Sequence, residues 1–244
     1  MERALKELRR RRVWMLLANL AYFLALLAVG VAVFLGNGSG GGLLAAACVA
    51  GYLLLVRPMR QRYVARVRRE ILCRTVCAPL TDVCYAPREG VEAEAVREAF
   101  PMADDGAFMS REHITGQMGG LRAEAADVTF PIREEGRRAM FSGALVRLTW
   151  PGSEFPPLSV DAGGLQGLSL PRGQRELLEK LNEFIPGSLY LRAKGETLTL
   201  LLRGRFLAFR INPLMQLSER TLGANPFPEL EQAIRLAKLM AMRT

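Results

Sequence analysis

The sequence predicts an α+β protein: an N-terminal transmembrane helical hairpin, then a cytoplasmic domain of mainly antiparallel strands with a few helices. Three observations predict it. Val13 to Val56 is a run of 44 residues without Asp, Glu, Lys or Arg, in a chain that is 23% charged. Arginine clusters close both ends of that run. From residue 88 onward, apolar and polar residues alternate between glycines and prolines, the period-two pattern of half-buried strands.

Residues 1–12 are a basic N-terminus, with Arg3, Lys6, Arg9, Arg10, Arg11 and Arg12 against Glu2 and Glu7. The uncharged block, 13–56, divides into segments 13–35 and about 41–56 at the glycine-rich stretch Gly36–Gly42, read as a turn. At ~1.5 Å per residue the first segment reaches roughly 34 Å, enough for a hydrocarbon core of about 30 Å. Trp14 stands at its start, where the membrane interface favours Trp. The second segment is shorter. Its small residues Ala45, Ala46, Ala47, Ala50 and Gly51 favour close helix packing, and flanking Arg57 and Arg60 can snorkel. A cleaved signal peptide also joins a basic start to an apolar core, but this apolar stretch exceeds the usual length and a second one follows. Asn37-Gly38-Ser39 fits the N-glycosylation pattern, which in so short a turn is read as a chance match.

Residues 57–87 are read as a basic amphipathic juxtamembrane helix and linker, with Met59, Tyr63, Val67 and Ile71 recurring every four residues. Arg57, Arg60, Arg62, Arg66, Arg68 and Arg69 form a candidate membrane-surface patch facing anionic lipid headgroups or another membrane protein. With both ends of the block basic, the positive-inside rule puts both termini in the cytoplasm of a multi-pass protein of the cell (inner) membrane. Residues 1–12 and 57–74 hold 13 basic and 3 acidic side chains, an excess of ten in a chain whose net charge is +9. Residues 75–244 therefore carry one net negative charge, and nucleic acid loses its appeal as a partner.

Residues 88–244 read as one α+β domain. A short helix spans Glu92–Phe100, and strands follow at Ala107–Met118, Leu121–Phe130 and Met140–Trp150. The proline- and glycine-rich stretch Pro151–Pro171 reads as a loop. Gln174–Phe184 is helical, then strands are expected at Ser188–Arg192, Thr197–Arg203 and Phe206–Ile211. Gly195 is free to take positive φ in the turn between the first two of these. A helix from about Pro228 to Met242 closes the chain.

Residue types that carry chemistry are sparse. Cys73, Cys77 and Cys84 lack a nearby histidine, so metal binding is not assigned and packed, reduced thiols are the default. His113 is the single histidine, beside no nucleophile. Gly119-Gly120 and Gly163-Gly164 lack the flanking residues of a phosphate loop or dinucleotide fingerprint. No catalytic, cofactor-binding or metal-binding residue is assigned, and no cofactor. Were the chain an enzyme acting on a lipid-linked or envelope substrate, Glu112, His113, Glu124 and Asp127 should converge in a pocket.

Glu112-His113-Ile114-Thr115-Gly116 … Gly119-Gly120, then Glu124-Ala125-Ala126-Asp127-Val128, then Met140-Phe141-Ser142-Gly143-Ala144-Leu145 resembles the bacterial domain-of-unknown-function family 3137. Leu168-Ser169-Leu170-Pro171, Gln174–Phe184 and Ser188–Arg203 follow in the order of that family. The resemblance implies two N-terminal membrane segments and a cytoplasmic α+β domain, and brings no activity with it. The expected protein is a two-pass membrane protein whose cytoplasmic domain binds a protein or a lipid headgroup. A membrane-tethered enzyme and a structural subunit of a membrane assembly are the alternatives.

Overall fold

A computed structural model describes residues 2–34, 38–134, 136–161, 164–165, 170–183, 189–208, 223 and 225–241. The chain divides into two units, residues 1–71 with 210–224, and residues 72–209 with 225–244. It is α+β, with one seven-stranded antiparallel sheet, several helices and an apolar N-terminal helix.

In the first unit, α1 spans Glu2–Phe34. Trp14, Leu17, Leu20, Phe23, Leu24 and Leu27 are all exposed, the reverse of the burial that apolar side chains find in water. Among the described residues α1 is the one helix long and apolar enough to cross a membrane, over Lys6–Val31. A second helix, α2, spans Gly38–Gly51. The stretch read as a glycine turn is thus helical from Gly38 on, and Leu35–Asn37 lie outside the described residues. The Tyr22 hydroxyl donates to the Cys48 carbonyl at 2.6 Å, and the Tyr22 and Tyr52 rings lie 5.1 Å apart.

Tyr52–Val56 is a five-residue π-helical stretch leading into α3, Arg57–Arg74. Pro58 gives a reason for it. Proline lacks the N–H that would bond the Leu54 carbonyl, and its ring crowds that carbonyl, so a widened turn just upstream relieves both problems. The expected face of α3 is present in part: Tyr63, Val67 and Ile71 are buried, whereas Met59 is exposed.

The second unit is built on the sheet β1 (Thr81–Ala86), β2 (Met109–Met118), β3 (Leu121–Glu134), β4 (Arg137–Thr149), β5 (Phe155–Val160), β6 (Leu189–Gly195) and β7 (Thr197–Arg203). Its spatial order is β1-β2-β3-β4-β7-β6-β5. Alternation sends Leu121, Ala123 and Ala125 of β3 to one face and Ala126, Val128, Phe130 and Ile132 to the other. The first face is covered by α5 (Arg172–Glu183) and α6 (Glu229–Ala241), through Leu178, Leu181, Leu230, Ala233, Ile234 and Ala237. The second carries the short helix α4 (Ala93–Ala99), which contributes Val96 and is followed by Phe100. Gly195, at φ +55°, makes the tight β6–β7 turn.

Three expectations change. Pro151–Pro171 contains β5, an edge strand in which Pro156 and Pro157 cost little, because an edge leaves backbone donors unpaired anyway. β1 occupies part of the stretch read as a linker, pairing with β2 at the other edge. Phe206–Ala208 are not in a strand, and 209–211 lie outside the described residues.

Candidate functional site

The predicted arginine patch lies on α3. Arg57, Arg60, Arg62, Arg66 and Arg69 are exposed and Arg68 is half-buried. Glu7 of α1 ties this patch to the N-terminal cluster: its carboxylate meets Arg11 at 2.9 Å and Arg66 at 3.1 Å. Burial raises the pKa of the Tyr63 phenol, and the nearby charge of Arg12 opposes that rise. The two basic segments of the first unit therefore meet along α1 and α3.

The four polar residues of β2 and β3 do not converge. Two residues of β2, Glu112 and His113, stand opposite the single Ala126 of β3, a β-bulge with Glu112 at φ +58°. His113 Nε2 lies 2.7 Å from Glu124 Oε1 on the α4 face. That hydrogen bond is the main cause that lowers the Glu124 pKa, against burial. Glu112 accepts a hydrogen bond from the Tyr85 hydroxyl, and Asp127 lies on the face opposite Glu124. The Asp127 carboxylate accepts from the backbone N–H of Leu207 at 2.6 Å and of Ala208 at 3.0 Å. Burial outweighs these bonds and pushes its pKa up to about 6. The bulge thus splits the quartet into the half-buried, hydrogen-bonded His113 and Glu124 and two buried acids, Glu112 and Asp127.

Sequence reading missed a more coherent feature on the α4 face. Thr115, Glu124, Arg147, Thr199, Arg192 and Ser159 are successive partners straight across β2, β3, β4, β7, β6 and β5. Arg122, Thr149, Thr197 and Lys194 form a parallel row two residues further along. On the other side the adjoining row is apolar: Ala126, Leu145, Leu201 and Tyr190. The sequence signal was a polar pair at i and i+2 in each of four strands, as in Arg122/Glu124 and Arg192/Lys194.

Helix α4 spans seven residues and leaves Arg147, Thr199, Arg192, Ser159, Thr197 and Lys194 of the two rows as the floor of a groove of about 590 Å³, with Ala95, Glu98 and Ala99 as its opposing wall. A second recess of about 230 Å³ shares Ala95, Arg147 and Thr199 with it and reaches His113 and Glu124. Arg192 is fixed there by Asp161 at 2.6 Å and by the Val160 carbonyl, over the Phe100 ring. Among the described residues Arg147 reaches only Glu124, at 4.0 Å.

The cysteines separate. Cys77 is buried, which pushes its thiol up to about 12 and makes it a poor nucleophile, whereas Cys73 and Cys84 are exposed rather than packed. Among the described residues no group of three or more His, Cys, Asp or Glu side chains could hold a metal ion. The geometry defines an α+β protein with an apolar N-terminal helix and a cationic groove on its sheet. No family model, curated protein or solved structure matches the chain.

Proposed function

We propose that this chain is a two-pass membrane protein of the inner membrane, with α1 and the α2 region crossing the bilayer and both termini in the cytoplasm. Its α+β unit acts as a binding module at the inner membrane face, with α3 resting on anionic headgroups. Kinship with the domain-of-unknown-function family 3137 belongs to the same proposal. One observation carries the reading. Exposed Arg57, Arg60, Arg62, Arg66 and Arg69 directly follow an apolar helical run whose large side chains are themselves uncovered. Arginine near an anionic surface contributes about 1 kcal/mol each.

The separation of His113/Glu124 from Glu112/Asp127 leaves the enzyme alternative without the convergent pocket it requires. The test of the membrane reading is protease protection. The protein is expected to sediment with membranes, and protease added to right-side-out vesicles is expected to leave 57–244 intact. Digestion of that region from outside overturns the topology.

A further inference from the structure

We propose that the open half of the α4-side sheet face is an oxyanion site that takes a phosphate-bearing ligand between Arg147 and Lys194. The proposal is independent of the membrane reading. Residues 75–244 carry one net negative charge, yet among the described residues the groove is lined by Arg147, Arg192 and Lys194 against Glu98 alone, with Arg192 already held by Asp161. Glu124 is already engaged by His113 at 2.7 Å, and 4.0 Å separates it from Arg147, so the guanidinium keeps donors for another partner. Lys194 makes no hydrogen bond or ion pair with any described residue, and it lines the groove.

Thr199 points to a ligand independently of charge. It is 3% exposed, its side chain has no hydrogen-bond partner among the described residues, and it borders both recesses. Its hydroxyl opens into the groove, where a bound oxygen can accept from it. Arg147, Lys194, Thr197 and Thr199 together offer more donors than the two oxygens of a carboxylate accept. Three terminal phosphate oxygens match them better. Glu98, on the α4 wall, supplies an acceptor for a hydroxyl on the same molecule. The groove volume of about 590 Å³ suits a small molecule or a lipid headgroup.

The test uses the full chain in phosphatidylcholine nanodiscs, titrated calorimetrically with inorganic pyrophosphate. Saturable binding is expected, at least tenfold weaker in Arg147→Gln and in Lys194→Gln and severalfold weaker in Thr199→Val. Arg235→Gln, on exposed α6 surface, should bind as wild type. Lys194 is exposed, so its variant keeps the fold and the comparison stands even if Arg147→Gln is destabilised. Displacement of pyrophosphate by phosphatidate vesicles, and not by phosphatidylcholine vesicles, assigns the phosphate to a lipid. No displacement assigns it to a soluble compound. Absence of saturable binding overturns the proposal, as does binding undiminished in the Arg147 and Lys194 variants. Binding lost in Arg60→Gln/Arg62→Gln/Arg66→Gln instead also overturns it.

Discussion

Single residues hold the second unit together in ways that titration and substitution can read. Asp127 has its pKa raised from 3.8 to about 6, so the folded state favours the protonated acid. The unfolded chain loses that proton near pH 4, the folded one near pH 6. Asp127 therefore contributes stability in full below pH 4 and loses it as pH rises through 6. In chemical denaturation, the stability difference between wild type and Asp127→Asn should shift by roughly 2 kcal/mol between pH 4 and 7, in favour of Asn at the higher pH. A difference independent of pH would refute the assignment. Gly143 acts sterically: a Cβ there would run into the Leu202 carbonyl oxygen and crowd Arg203. Gly143→Ala should cost roughly 2–4 kcal/mol by the same measurement, because backbone opposes backbone at that point and neither can move aside. Neither role was legible in the sequence. Asp127 reads as an ordinary polar residue of a strand, and its backbone partners lie 80 and 81 residues away.

At the level of elements, legibility followed the strength of local pattern. β3 and β4 announce themselves because Ala, Val, Leu and Phe alternate over their length, and α5 and α6 because apolar residues recur at helical spacing. β5 was hidden by Pro156 and Pro157, whose rarity in strands does not extend to an edge. The groove was hidden because its residues come from six strands, and only the spatial order of the sheet lines them up. α3 was visible as a basic helix, and its proposed role makes a prediction. Replacing Arg57, Arg60, Arg62, Arg66, Arg68 and Arg69 with Gln should disturb membrane orientation before it disturbs folding of the sheet, since these side chains are mostly exposed. A reporter fusion showing unchanged topology would count against that role.

For the whole molecule, the exposed edges of the sheet govern self-association. One edge is β5, where Pro156 and Pro157 interrupt the row of backbone donors another strand would need. Pro156→Val/Pro157→Val should restore that row and drive concentration-dependent oligomers on size-exclusion chromatography, while the wild type elutes unchanged over the same range. An unaltered elution profile would show that the prolines do not guard the edge. The strand order also bears on how the chain finds its fold. β1 to β4 pair with one another in sequence order, and so do β5 with β6 and β6 with β7. Among the described strands, β4 and β7 alone join partners that are far apart in sequence, along a seam where Gly143 faces Arg203. Two locally zipped halves must therefore dock there, and closing so long an excursion is the step with the largest loop entropy. The rate-limiting event of folding is assigned to that seam. Substitutions within the zipped halves and along the seam should slow refolding, and those that touch only contacts made after docking should mainly hasten unfolding.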